Sequence, residues 1–388
     1  MILSATHVHS DGANYHRGYS QATAPPDTNF PSVADAAVQA VREAYAHLQP
    51  AKVGFATQNV YLNVNRDALS PITHRWYQGP NLEAPSDKTL AVITFETPGG
   101  KPIAIYFNYA MHPIDYYLTG IVSADFPGTS AADLESLFPG AVAIFTQGAS
   151  GDQNPLYLEP HLDMHDAING EPERNVTVAQ AAGMGGVVGV VPGEPQSPEP
   201  YQLQAEQFPA VPATWVPSRE PEIQKAAANL NAWVEAEGQV ISQATLRAIR
   251  HTDFFSSNVE IEGAQTVLTC PGRTRTNATA GWQSVPGTYV DGPPVPIRLG
   301  LLRIGPIAIG TADAELFTQI AQRLKSESPL KDTMMVTLTN GRAPSGYIPN
   351  DEAFTQETFQ VLGTHLKPGC AENGIVNGIL GLMPASLR

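Results

Sequence analysis

The chain has 388 residues, 42% hydrophobic and 15% charged, with 33 glycines and 34 prolines. This is enough apolar material for one large domain or two ordinary ones, and it fits neither a collagen-like repeat nor a charge-driven disordered chain. The 22 basic residues stand against 37 acidic ones, a net charge of −15. The basic footprint of a nucleic-acid binder is therefore missing, and the acidity reads as solubility or a saline habitat. Met1 to Thr6 reads as a strand that begins at the first residue. It lacks the basic start and long apolar stretch of a signal peptide, and the expectation is an N-terminally shortened chain. No apolar run reaches the roughly 18 residues of a membrane-spanning helix.

Val33, Ala37, Ala40, Val41, Ala44, Tyr45 and Leu48 recur at three and four, which predicts a helix over 33–48, stopped by Pro50. Residues 51–64 read as a strand. Thr89 to Thr97 alternates and is β-branched, and Pro98-Gly99-Gly100-Lys101 turns it into a hairpin with Ile103 to Met111. A short helix follows Pro127. Ala141 to Thr146 is a buried strand, and Gly148 to Pro155 a sharp polar turn at its end. From Pro155 to Pro221 there are eleven prolines and no periodic apolar face, so this stretch reads as a long irregular insertion. Long irregular segments are commonly functional covers or disordered insertions. As a cover, it would line a groove with Leu156, Tyr157, Leu162, Val187, Val188 and Phe208. Helix returns over 222–250. Ile297 to Gly310 is a hairpin about Gly305-Pro306, with a helix from about Ala314 to Lys325 behind it. Met334 to Thr339 is a strand, with a loop to Tyr347 and a helix near Asp351 beyond. Strands and helices alternate but hairpins also occur. The expectation is an α/β fold of one domain over 1–388, with a mixed sheet, flanking helices, and a site at strand ends and loops.

The chemistry-bearing residues collect at those strand ends. In His7-Val8-His9, residues i and i+2 of a strand point to one face. Paired neutral imidazoles suit a metal, although two surface histidines are the plain alternative. His112 follows an apolar strand at a sheet edge, where sites gather, and Glu315 after the later hairpin offers the usual carboxylate. His161 and His165, at i and i+4, form a competing pair inside the proline-rich insertion. Gly148-Ala149-Ser150-Gly151-Asp152 follows a buried strand, but its second glycine comes one place too early for the Gly-x-Ser-x-Gly elbow of a serine nucleophile. It reads instead as a turn whose backbone faces a site. Cys270 and Cys370 exclude a disulfide scaffold and a thiolate zinc cluster. Whether they bridge is open from spacing alone.

Taken in order, these blocks resemble the neutral, non-lysosomal ceramidases and their bacterial relatives. Ala5-Thr6-His7-Val8-His9-Ser10 is similar to that family's Ala-Thr-His-Thr-His-Ser, and Asn63-Val64-Asn65-Arg66 to its Asn-x-Asn-Arg. His112 with Ser123-Ala124-Asp125 and Gly128, the turn Gln147 to Asp152, Gly310 to Phe317, and Ser345-Gly346-Tyr347-Ile348-Pro349 resemble its further blocks. The resemblance implies one zinc ion per chain held by His7, His112, Glu315 and Tyr347, with water as a further ligand. It also implies His9 as acid/base and Arg66 as oxyanion stabiliser. The turn residues Gly148, Ala149, Ser150 and Asp152 would lie at the substrate. The implied reaction is cleavage of a linear amide in an N-acylated lipid by metal-activated water. A carboxylesterase using the same metal is the alternative among hydrolases, and a zinc-stabilised binding protein the alternative of another class. The family's location implies a secreted or periplasmic protein. Three departures stand out. The strands preceding the His-x-His block and the C-terminal immunoglobulin-like domain are missing, and Asn154 stands where the family carries a serine. An amide cannot be an acyl nucleophile, which favours water.

Overall fold

Alternation along the strands decides how the chain layers itself. The computed structural model describes residues 1–10, 33–71, 74–117, 119, 121–169, 220–255, 258–277 and 286–387. In β4 (Thr89–Glu96), Leu90 and Val92 belong to one apolar cluster, and Ile93 to another on the opposite face. A strand that is apolar on both faces must be covered on both. It lies at the centre of a five-stranded sheet. Its neighbours are β5 (Pro102–Tyr109) and then β6 (Val142–Gln147) on one side, and β1 (Lys52–Asn59) and then β8 (Asp253–Phe255) on the other. A second sheet orders β13 (Asp332–Val336), β11 (Ile307–Ala312), β10 (Tyr289–Ile304) and β9 (Ile261–Arg275). The pairs β5–β6 and β11–β13 are parallel and the others antiparallel. Both sheets are therefore mixed, as the hairpins predicted.

The two sheets face each other through Val53, Ile93, Ile304, Ile307, Ile309, Met334 and Val336. The other face of the first sheet is covered by α2 (Asp125–Leu137), α3 (Glu159–Asn169) and α4 (Glu220–Arg250), with Phe107, Phe126, Met164, Leu230 and Val234 between them. The outer face of the second sheet packs Leu299 and Leu301 against Ile320, Leu324, Ile375 and Ile379 of α5 (Thr318–Glu327) and α7 (Ala371–Gly381). The architecture is thus helix, sheet, sheet, helix. Each fully buried aliphatic side chain contributes about 1.5–3 kcal/mol. Cys270 of β9 is bridged to Cys370 at the head of α7, which closes the question left by their spacing. No helix among the described residues is long and apolar enough to cross a membrane.

Two small sheets carry the chemistry. One orders β3 (Trp76–Asn81), β2 (Asn63–Leu69) and β7 (Gln153–Pro155). The other pairs β12 (Glu315–Leu316) with β14 (Tyr347–Ile348) in parallel, so that Glu315 and Tyr347 stand side by side. A short helix, α6 (Phe359–Gly363), lies against β14.

Three departures from expectation stand out, besides the strand expected over 51–64, which forms as β1 and β2 in different sheets. Met1 to Thr6 is no strand. Its ladder is one bridge, Ser4 with Thr339, supported by Ala5 N to Leu338 O and Asn340 N to Leu3 O. Strand alternation therefore does not aim His7 and His9, and His7 instead takes a left-handed turn at φ 67°. The helix predicted over 33–48 forms as α1 (Val33–Ala46), but its stripe is uncovered, with Val41 50% and Tyr45 76% exposed. The insertion 155–221 is not irregular at its start. In α3, His161, Leu162, Met164 and His165 bury one face, a short periodic signal hidden among prolines. Leu156 and Tyr157 are partly exposed and Leu162 is buried, whereas Val187, Val188 and Phe208 lie outside the described residues.

Candidate metal centre

Four side chains from three distant stretches of the chain meet at one point. His7 Nε2 lies 3.1 Å from His112 Nε2 and 3.0 Å from Glu315 Oε2, and His112 Nε2 is also 3.0 Å from Glu315 Oε2. His9 Nε2 is 3.3 Å from His7 Nε2. Among the described residues, His7, His9 and His112 form a group whose ligand atoms all lie within 4.8 Å of one another. Imidazole nitrogens this close set lone pair against lone pair, or proton against proton, unless a shared cation or proton sits among them. Nitrogen and carboxylate donors in this number are those of a zinc site. The residues present therefore fit the metal.

Each ligand-type side chain is aimed by its surroundings. His112 leaves β5, and its backbone N–H and Nδ1–H both donate to the Gln153 carbonyl, at 3.1 and 3.0 Å. With the proton on Nδ1, Nε2 keeps its lone pair for the cluster, the second-sphere arrangement of metal-binding histidines. His9 N donates to Pro113 O at 3.1 Å, and the His9 ring stands edge-on to Tyr117 at 5.4 Å. Burial, and then the Arg66 charge, lower His112 to about 4. Burial, and then His7 and His112, hold His9 well below its ordinary value. For Glu315, burial acts upward, but the His7 charge and hydrogen bonds from His112 and His7 hold the carboxyl well below the usual range. His112 and His9 as neutral bases beside an ionised Glu315 are protonation states suited to holding a metal.

Arg66 lies buried beside this cluster. Nη1 donates to Asn154 Oδ1 at 3.1 Å and Nη2 to Gly151 O at 2.6 Å. Its guanidinium stands 4.9 Å from the Phe359 ring and 5.6 Å from the Tyr347 ring. Tyr347 thus reaches the site through Arg66 and through its register beside Glu315. The turn residues Gly148, Ala149, Ser150 and Asp152 are all buried. Ala149 belongs to the second sheet's core. Ser150 Oγ accepts from Gln147 Nε2 at 2.6 Å, and that same amide donates to Met111 O. Asp152 accepts from Asn65 Nδ2 at 3.0 Å and from Thr318 N at 2.8 Å, clamping β2 to the start of α5. Burial raises Asp152 to about 6, although its hydrogen bonds pull the other way.

The competing histidine pair is placed elsewhere. The His161 and His165 rings lie tilted against each other at 4.4 Å and donate to the backbone carbonyls of Asp115 and Tyr117, at 2.9 and 2.8 Å. They tie down the loop that follows His112. Sequence reasoning missed Phe359 and Tyr117, for which no pattern gave a signal. It noted Asn154 only as a departure from the family.

No family model matches the chain. Neutral ceramidase A of Dictyostelium discoideum is 29% identical over 175 residues, covering 40% of this chain and 24% of that protein. Neutral ceramidase B of the same organism is 27% identical over 172 residues, covering 40% and 23%. Among solved structures, the neutral ceramidase from Pseudomonas aeruginosa superposes with a TM-score of 0.55 at 14% identity, over 90% of this chain and 55% of that one. A ceramidase complexed with C2 gives a TM-score of 0.60 at 13% identity, over 98% and 60%. The matched stretch spans about a quarter of the curated relatives. The protein is a mixed α/β chain with a histidine–carboxylate cluster at its sheet edges. Part of its sequence is similar to the neutral ceramidases, and it shares the fold of the solved ceramidase structures.

Proposed function

We propose that this chain is a zinc-dependent hydrolase that cleaves the amide bond of N-acylated lipids. The observation that carries the reading is the convergence of His7, His112 and Glu315 within 3.1 Å, with His9 next to them and Arg66 alongside. Sequence likeness to neutral ceramidases adds support. His7, His112 and Glu315 would hold the ion, with Tyr347 beside them. Zinc, when bound, supplies Lewis-acid polarisation of a carbonyl and acidifies water to a pKa near about 7.

The chain's own groups supply the rest. His9 is held neutral by burial, so its ring can accept a proton from water at Nε2. It can then deliver that proton to the departing nitrogen. An amine leaves poorly without this proton. Arg66, fixed by Asn154 and Gly151, offers N–H donors and positive charge to the developing oxyanion, a contribution that commonly dominates acyl-transfer catalysis. Ser150 is turned to Gln147 and takes no part as nucleophile.

The test is metal analysis of the purified protein, combined with turnover of a short N-acyl amide and of the matching ester, each with and without chelator. Chelator-sensitive amide cleavage at one zinc per chain is the expected result. Ester cleavage alone would assign an esterase. One zinc with no turnover of either substrate would assign a binding protein.

A further inference from the structure

Strand β7 is three residues long, yet it touches both halves of the site. The backbone carbonyl of Gln153 takes the two hydrogen bonds that orient His112. The Gln153 side chain points away, its Oε1 accepting from Ser86 Oγ at 2.6 Å. Side chains alternate along a strand, so Asn154 points the other way, to Arg66. Its own place is fixed by antiparallel pairing with Val64, two residues before Arg66 on β2. Asn154 is itself buried.

We propose that Asn154 is a positioning residue, whose side-chain carbonyl sets the Arg66 guanidinium in place while leaving its full positive charge available to substrate. This rests on the reading of Arg66 as the group facing the reacting carbonyl. A guanidinium is a planar fork, so two anchored nitrogens fix its plane. The two anchors are Asn154 Oδ1 on Nη1 and Gly151 O on Nη2, with the Phe359 ring packed alongside. Both acceptors are neutral. A carboxylate at 154 would make a charge-assisted pair with Arg66 and draw its charge away from the substrate. A serine at 154 is one heavy atom shorter and falls short of Nη1. The amide is long enough to reach and carries no charge.

The experiment compares Asn154→Asp, Asn154→Ser and Arg66→Ala with the parent. It reads zinc content, melting temperature, and kcat and KM on a short N-acyl amide. It also measures octanoate binding to the metal-free protein by calorimetry, where a carboxylate probes Arg66 alone. For Asn154→Asp, kcat should fall about 100-fold or more, the size of losing one oxyanion donor, with KM changed little. Zinc content should be unchanged, and octanoate affinity should fall at least about tenfold. Asn154→Ser should show a smaller loss in the same readouts. Parent-like kcat and octanoate affinity in Asn154→Asp, alongside strong loss in Arg66→Ala, would overturn the role of Asn154 alone. Parent-like values in Arg66→Ala would overturn the reading of Arg66 beneath it.

Discussion

Two buried polar clusters sit at either end of one short loop. His112 belongs to the first, with His7, His9 and Glu315. Asp115 belongs to the second, with Asp125 at the start of α2 and Glu237 on α4, all three deeply buried. In the first cluster burial lowers the affinity of His112 and His9 for a proton, and the Glu315 carboxyl beside them is held well below its usual range. In the second, burial pushes Asp115 and Glu237 well above the ordinary carboxyl range, and the charges of neighbouring carboxyls push further. Burial raises Asp125 to about 6, against hydrogen bonds from Phe126 N and Tyr116 N. Neither oxygen of Asp115 or of Glu237 completes a hydrogen bond with good geometry. The same desolvation thus favours neutral bases where His9 and His112 gather and raised carboxyls where acids gather.

The largest effect that separates the clusters comes from His112→Ala. It should remove the zinc and lower amide turnover by more than about 1,000-fold, because the site loses a ligand and the Gln153 anchor together. Plasma-emission metal analysis and initial rates check this. Retention of one zinc per chain would move the metal away from His112, and the comparison would fail with it.

The carboxylate cluster should show itself in pH dependence instead. A carboxyl whose folded pKa lies above its unfolded value binds more protons folded than unfolded. Its folded form is therefore most stable below about 4, the unfolded range. Stability then falls as pH rises through the folded values, and Asp125 passes its own at about 6. Glu237→Gln removes one acid at nearly constant volume. The expected outcome is a shallower fall of melting temperature between about pH 5 and pH 8, with zinc content unchanged. A slope equal to the parent's would show that Glu237 does not titrate in this way.

Part of the candidate centre was legible because two of its side chains, His112 and Glu315, follow strands that carry strong signals. Thr89 to Thr97 and Ile103 to Met111 formed near their expected bounds, and the hairpin expected over Ile297 to Gly310 turns at Gly305-Pro306, although its first strand starts earlier, at Tyr289. The route by which His7 and His9 converge was not legible, since a positive φ at a histidine leaves no mark in composition. The acid cluster was equally hidden. Asp115, Asp125 and Glu237 come from three elements, and only packing of α2 and α4 over the first sheet joins them. The long strand β9 was missed because most of its side chains are exposed or only partly buried, which dilutes the apolar alternation a strand is read from.

A smaller effect should distinguish the second histidine pair from the first. His165 Nε2 bonds the Tyr117 carbonyl from a buried position. His165→Ala should remove that hydrogen bond and lower stability by about 1 kcal/mol. The zinc content should stay at one per chain. Loss of a second metal equivalent would make α3 a metal site in its own right.

The smallest effect on activity is expected at Ser150, the residue that a serine-hydrolase reading would make essential. Its side chain is 2% exposed and its Oγ is held by Gln147 Nε2. Gln147 Nε2 also donates to Met111 O, so the amide keeps one partner when the hydroxyl goes. Ser150→Ala should therefore cost about 1 kcal/mol of stability and leave most of the amide turnover in place. The contrast with His112→Ala is the informative part. A serine acting as nucleophile would lose activity on the same scale as the histidine while keeping its zinc, and it would be labelled by a fluorophosphonate. A hydroxyl that only props the turn beneath the site would lose neither. Labelling of Ser150 together with a large loss of turnover would transfer the chemistry from the histidine cluster to the turn.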